Sequence, residues 1–180
     1  MPRVEIGTPN QFLFSMERAV GISDLNYAKH LDSVAMLQIL NEARLQFLAH
    51  LGFSEANVFG LGLVVADQAV DFRSESFAGD RLFIDVGVSD FNHYGFDISF
   101  QVTNSALETV VCQAKTGVVF FDFDQHQIAE VPVGLVDLLN RREEKVALSV
   151  QNRRYERGTS TTRVSERRSC SVPCCRFVSS

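Results

Sequence analysis

The residues best suited to chemistry lie in one short stretch, SDLNYAKHLD at positions 23–32. Within ten positions it brings together two carboxyl groups, an amide, an amine and an imidazole, namely Asp24, Asp32, Asn26, Lys29 and His30. The apolar run that follows predicts a helix, so these polar groups stand directly before a helix N-terminus. Such an end exposes backbone N–H groups and carries about half a positive charge, which favours an oxyanion or a polarised carbonyl. The stretch therefore predicts a site where a carbonyl group is bound and attacked.

Asp24 is the first catalytic candidate in this stretch. A carboxylate just upstream of the helix end could act as a general base on water or as a nucleophile on the carbonyl carbon. Backbone N–H groups near His30–Ser33 would polarise the carbonyl oxygen, as in an oxyanion hole. For a carbonyl compound that is already activated, one carboxylate and one electrophilic helix end suffice without a Ser-His-Asp triad. The alternative is that Asp24 is a turn acid without a catalytic task.

His30 joins Asp24 in the predicted catalytic pair. Of its two possible tasks, orienting the loop through side-chain hydrogen bonds or its backbone is favoured over transferring protons. Three basic residues, Lys29, Arg73 and Arg81, are weak candidates for contact with a substrate phosphate.

The predicted substrate-binding residues fill the remaining positions: Asn26, Tyr27, Leu31, Asp32 and Ser33. Asn26 can contact substrate or fix the loop through an Asx-type hydrogen bond. Tyr27 can line an acyl pocket or simply pack. Asp32 and Ser33 are most simply explained as caps of the helix that follows.

The elements that must position this stretch follow one another in a clear order. A strand is predicted over 11–19 and a helix over 32–53, where apolar residues recur at steps of three and four. Turn signals separate the next four predicted strands, at 61–72, 81–88, 95–103 and 109–123, and short links favour antiparallel hairpins. Pro132 opens a closing helix over 133–142. A long helix that is apolar around most of its girth needs a curved antiparallel sheet to enclose it, so the predicted class is α+β.

A change in charge and composition near residue 150 predicts a domain boundary there. Residues 1–150 carry a net charge of −10 and form one predicted domain, whereas 151–180 carry +5 and are rich in Ser and Arg. The basic tail has no hydrophobic period, which predicts disorder.

An acidic domain does not attract nucleic acid, so no nucleic acid is expected as a partner. No apolar run approaches the roughly 20 residues of a membrane span, so no membrane contact is expected and the predicted location is cytoplasmic.

The four cysteines do not predict a disulfide framework or a metal site. Cys112 lies in a strand-like run, and the other three crowd near the C-terminus at positions 170, 174 and 175. No histidine accompanies that trio, and paired ligand motifs are absent. Neither a metal nor a cofactor is therefore predicted.

The element order and several motifs resemble the hot-dog fold, and within it the 4-hydroxybenzoyl-CoA thioesterase-like acyl-CoA thioesterases. The matching segments are Asp24–His30, NEAR at 41–44, AVDFRSESFAGDRLFIDV at 69–86 and KTGVVFFDFD at 115–124. The resemblance implies a curved antiparallel sheet wrapped around one central helix. It also implies hydrolysis of an acyl-CoA or acyl-carrier-protein thioester, in a homodimer or homotetramer with sites between subunits.

Two positions at the site depart from the family pattern. Lys29 replaces the usual Gly before the histidine, and Asp32–Ser33 replace a usual Asn-rich pair. These departures leave open an alternative function, a non-catalytic hot-dog protein that binds acyl chains or protein partners.

Other enzyme classes are disfavoured by missing motifs. The sequence contains no GxSxG, GxxxxGK[ST], GxGxxG or HExxH motif, which argues against serine hydrolases of that type, P-loop enzymes, dinucleotide enzymes and zincins. Hot-dog dehydratases use a His and a helix Glu joined by a Pro/Gly-rich segment. His30 and Glu42 have neither Pro nor Gly between them, so dehydration is the lesser enzyme option.

Overall fold

A six-stranded antiparallel sheet and two α-helices make up the computed structural model, which describes residues 6–9 and 11–159 and their side chains as far as residue 147. The elements are β1 (Phe12–Ala19), α1 (Ser33–Leu51), β2 (Gly62–Phe72), β3 (Arg81–Ser89), β4 (Gly95–Asn104), β5 (Thr109–Asp122), β6 (Gln127–Ala129) and α2 (Val133–Thr159). One turn of 3-10 helix, Ile22–Asp24, lies between β1 and α1. The predicted order of strand, helix, four strands and helix is confirmed, and β6 is an addition to it.

The sheet has the strand order β1-β3-β4-β5-β2, and β6 pairs with β5. All neighbouring strands are antiparallel, as the short links predict. The two strands next to α1 in sequence, β1 and β2, thus lie at opposite ends of this order. The predicted α+β class, with one long helix packed on a curved antiparallel sheet, is confirmed.

The core lies between α1 and one face of the sheet. On β4 the apolar residues alternate with polar ones, and Phe96, Ile98, Phe100 and Val102 enter the core. From α1, Ile39 and Phe47 are both completely buried in the same cluster. Because each fully buried side chain of this size contributes about 1.5–3 kcal/mol, this packing fixes the position of α1 on the sheet.

Both ends of α1 have residues suited to stopping a helix. At the start, the Asp32 carboxylate accepts the Val34 N–H at 2.8 Å, which satisfies one of the free donors of the first turn. At the end, Gly52 has φ +93°, a left-handed conformation that glycine adopts without a steric penalty. The helix N-terminus is therefore held at a defined position next to the 23–32 stretch.

Helix α2 is longer than predicted. It buries Leu135 and Leu139 near its start, and its backbone continues as helix to Thr159, beyond the predicted end at residue 142. The chain divides into two compact units, one ending at Glu144 and one beginning at Lys145. Of the predicted tail, 151–159 are described as helix backbone and 160–180 lie outside the described residues.

Within the described part of the chain, no helix combines the length and apolar character needed to span a membrane.

Candidate functional site

The chain between β1 and α1 is anchored by Asp24. Its buried carboxylate accepts the Gly21 N–H at 2.9 Å and lies 3.3 Å from Nη2 of Arg18. Arg18 also reaches Glu42 on α1, with 2.6 Å between Nη1 and the Glu42 carboxylate. Burial opposes the charge on Arg18, but its hydrogen bonds to Glu42 and Asp24 outweigh that effect and raise the pKa of the guanidinium. The Asp24 side chain therefore ties the 3-10 turn to β1, and Arg18 extends this link to α1.

Asn26 builds the tight loop that precedes the helix. Its side-chain oxygen accepts the Ala28 N–H at 2.9 Å and the His30 N–H at 3.2 Å. This is the Asx-type bond that the sequence predicts. Lys29, the residue at the usual glycine position, adopts φ +64°, a conformation that costs a non-glycine residue about 1–2 kcal/mol. The loop thus keeps a glycine-type backbone although it carries a lysine.

Some of the backbone N–H groups at the start of α1 already donate hydrogen bonds within the protein. The Leu31 N–H donates to the Ser76 carbonyl and the Asp32 N–H to the Asp24 carbonyl, both at 2.8 Å. The Asp32 side chain takes the Val34 N–H. The Ser33 N–H finds no acceptor among the described residues. Among the described residues, the N–H groups of Ser33 and Ala35 therefore remain unpaired at the positive end of the helix.

A cavity of about 260 Å³ opens in front of this helix end. Five of the seven predicted site residues line it, namely Asn26, His30, Leu31, Asp32 and Ser33. The other two do not: the Asp24 side chain is directed to Arg18 and Gly21, and Tyr27 is fully exposed to solvent. The helix end and the loop before it thus share one cavity, but without the predicted carboxylate.

Two further cavity residues, Glu75 and Ser76, come from the segment between β2 and β3. A carboxylate oxygen of Glu75 lies 3.3 Å from Nδ1 of His30, and the His30 ring meets Phe77 edge-on with 5.2 Å between ring centroids. Ser76 is 1% exposed, and its hydroxyl has no hydrogen-bond partner in the part of the chain that the structure describes. Sequence reasoning missed both residues, because no spacing rule connects them to 23–32.

The cavity lining also includes three apolar residues, Met36 of α1, Phe72 of β2 and Val111 of β5. The cavity is therefore lined by polar groups near the helix end and by apolar side chains from both the helix and the sheet. This arrangement suits a ligand with a polar reacting group attached to an apolar body. Groups of three or more His, Cys, Asp or Glu side chains suitable for a metal ion are not found in the described ranges.

Several solved structures of thioesterases share this fold. A 1,4-dihydroxy-2-naphthoyl-CoA thioesterase from Synechocystis superposes with a TM-score of 0.63 at 20% identity, covering 70% of this chain and 94% of its own. A gentisyl-coenzyme A thioesterase gives 0.60 at 16% identity, covering 68% and 98%. The 12:0-ACP thioesterase from Umbellularia californica gives 0.65 at 14% identity, covering 75% of this chain and 55% of its own. These likenesses show the hot-dog fold.

Family membership comes from the sequence itself. No curated protein sequence matches the chain significantly. The family model of the thioesterase-like superfamily matches residues 20–140, which include the loop, α1 and the sheet from β2 to β5. The match covers more than half of the chain and supports a thioester hydrolase. The chain belongs to the thioesterase-like superfamily.

Proposed function

We propose that this protein hydrolyses an acyl-CoA thioester to a carboxylic acid and CoA in the cavity in front of α1. The observation that carries the proposal is the unpaired N–H of Ser33, at the N-terminus of a 19-residue helix and on the cavity wall. A thioester carbonyl oxygen bound there would gain negative charge during attack. The N–H group and the helix dipole stabilise that charge without having to reorganise.

His30 is the group best placed to activate water. It lines the cavity, and its Nδ1 atom faces Glu75, which leaves Nε2 for a water molecule. In the proposed step the imidazole takes a proton as the water oxygen bonds to the carbonyl carbon. The carbon–sulfur bond then breaks, and the proton passes to the departing CoA sulfur.

We propose a positioning role for Asp24 instead of the catalytic role that the sequence predicts. Its carboxylate is engaged by Gly21 and Arg18 and is not part of the cavity lining. Its backbone carbonyl accepts the Asp32 N–H, so the residue helps to set where α1 begins. Asp24 would then act by holding the helix end in place and would not touch the substrate.

The acyl group would lie against the apolar residues of the cavity lining. Met36, Phe72 and Val111 offer a surface for a fatty or aromatic body next to the helix end. Among the structural relatives, two are named for CoA thioesters and one for an acyl-carrier-protein thioester. We therefore favour CoA esters and treat acyl-carrier-protein esters as the second substrate class.

The proposal includes a homodimer or homotetramer in the cytoplasm. β2 ends the strand order, and its residues Val64 and Val65 are each 38% exposed. An edge strand with exposed apolar residues is available for pairing with a second copy.

A substrate panel tests the activity. Wild-type protein is mixed with acyl-CoA esters of several chain lengths, an aromatic CoA ester and an acyl-carrier-protein ester, and free thiol release is recorded against a protein-only blank. We expect turnover of at least one CoA ester and its loss in His30→Ala protein. Failure of wild-type protein to release thiol from any of these esters would refute the proposal and favour a non-catalytic protein that binds acyl chains.

A further inference from the structure

Ser76 occupies an unusual position for a buried polar side chain. It lies between β2 and β3, and its carbonyl accepts the Leu31 N–H at 2.8 Å, which holds it beside the start of α1. The residue is 1% exposed and lines the same cavity as Ser33. Its hydroxyl nevertheless has no hydrogen-bond partner among the residues that the structure describes.

Burying a hydroxyl without a hydrogen-bond partner costs free energy. Folded proteins rarely contain such a group unless a ligand or a water molecule supplies the missing hydrogen bond. Two other described residues have buried side-chain nitrogens without partners, Arg44 and Asn104. Neither of them lines the cavity. Of these three residues, Ser76 is the one whose unpaired polar atom belongs to a residue of the cavity lining.

We propose that the Ser76 hydroxyl donates a second hydrogen bond to the carbonyl oxygen of the bound thioester, beside the one from the Ser33 N–H. This inference rests on the proposed function and adds a group from the β2–β3 segment to the helix end. A tetrahedral oxyanion accepts more than one hydrogen bond, and donors already in place stabilise it most. Ser76 is then a catalytic residue of the thioester hydrolysis.

Ser74 provides a matched comparison two residues earlier in the same segment. It also borders the cavity, but its hydroxyl donates to the Val110 carbonyl at 2.9 Å. The same change, Ser to Ala, therefore removes a satisfied hydroxyl at position 74 and an unsatisfied one at position 76. The two variants should differ in both stability and activity.

The experiment compares Ser76→Ala and Ser74→Ala with wild-type protein, using the acyl-CoA ester that wild-type protein hydrolyses best. For Ser76→Ala we expect kcat to fall about 100-fold, the effect of losing one oxyanion donor, with KM little changed. Its melting temperature should equal or exceed that of wild-type protein. Ser74→Ala should melt at a lower temperature and keep kcat near the wild-type value, because only a structural hydrogen bond is lost.

Three results would overturn the inference. Unchanged kcat in Ser76→Ala would show that the hydroxyl does not contact the reacting group, whatever the melting temperature. A fall in kcat that only follows the loss of folded protein would assign Ser76 a structural role. Absence of wild-type turnover would remove the proposed function and this inference together, whereas the first two results leave the proposed function standing.

Discussion

Asp24 and His30 lie six positions apart in one polar stretch, yet their side chains have different surroundings. Asp24 is buried and engaged by Arg18 and Gly21, whereas His30 lines the cavity and contacts Glu75. A carboxylate that is held by two donors and lies outside the cavity lining does not reach a substrate bound there. In the proposed mechanism Asp24 is therefore a positioning residue and His30 the catalytic one.

The variants Asp24→Asn and His30→Gln test these two assignments. In Asp24→Asn we expect the free energy of unfolding to fall by about 1–3 kcal/mol, because a charged hydrogen-bond acceptor of Arg18 is lost. Its kcat per folded molecule should fall less than in His30→Gln, where loss of a general base costs about 100-fold or more. Urea unfolding and thiol release provide the two measurements. A stable Asp24→Asn protein without turnover would instead identify Asp24 as the base or nucleophile.

Glu75 is expected to act through His30. Glu75→Gln removes the charge that faces Nδ1 and should lower kcat about tenfold while KM stays close to wild type, since substrate contacts are retained. The control is Glu130→Gln, which breaks a second His–Glu pair, 2.8 Å from Nε2 of His93 and outside the cavity lining. Steady-state kinetics on both variants decide the matter. Equal kcat values in the two variants would contradict a role for Glu75.

The sequence identified the residues of the site that are contiguous and missed those that are not. Five residues of 23–33 line the cavity because a loop and a helix start bring neighbours in sequence to one surface. Glu75 and Ser76 reach the same cavity through the hydrogen bond between Leu31 and Ser76. That contact depends on the path of the segment between β2 and β3, and a pattern of neighbouring residues in the sequence does not predict it.

At the level of elements, the position of α1 controls the site. The Asp32 side chain caps the helix and takes the Val34 N–H. Of the first-turn residues whose N–H lacks an acceptor in the described part of the chain, Ser33 is the one that lines the cavity. Val34, in the first turn of α1, is 61% exposed, because the helix begins at the surface beside the cavity.

Removing the cap should weaken α1 by a predictable amount. For Asp32→Ala we expect the free energy of unfolding to fall by about 1 kcal/mol, the usual cost of losing an N-cap side chain. Asp32→Asn keeps an acceptor for the Val34 N–H and should retain most of that stability. Chemical unfolding of the two variants is the test. Equal losses in both would show that the cap bond does not stabilise the helix.

The elements themselves were largely predictable from the sequence. Alternation in β4 and the three- and four-residue steps in α1 come directly from packing on one core, so their bounds agree closely with the prediction. The strand β6 was not predicted, because the three residues Gln127–Ala129 are too few to show an alternating apolar pattern. The end of α2 was missed because its later residues lack the apolar period on which the prediction relied.

For the whole molecule, the buried thiol of Cys112 links stability to pH. Burial, and then the charge of Asp71, raise its pKa from 9.0 to about 12. In the unfolded chain the thiol ionises above pH 9.0, whereas in the folded protein it stays protonated until about pH 12. Stability from this group is therefore complete below pH 9.0 and is lost as the pH rises from 9.0 towards 12.

We expect Cys112 to account for about 2 kcal/mol of lost unfolding free energy between roughly pH 8 and 10.5. Unfolding measured at both pH values, for wild-type protein and for Cys112→Ala, isolates this contribution from other groups that titrate in the same range. The variant should be less stable at the lower pH but lose less stability at the higher one. Parallel losses in both proteins would contradict the linkage.

The central claim is that the Ser33 N–H binds the thioester carbonyl, and deleting that single donor tests it most directly. Proline at position 33 removes the N–H yet suits the first position of a helix, and Asp32, with φ −71° and ψ 145°, already has the backbone that precedes proline. We expect Ser33→Pro to keep the wild-type melting temperature and to lose acyl-CoA hydrolysis by about 100-fold or more. Ser33→Ala, which keeps the N–H, should lose far less. Wild-type turnover in a folded Ser33→Pro protein would contradict the proposed mechanism.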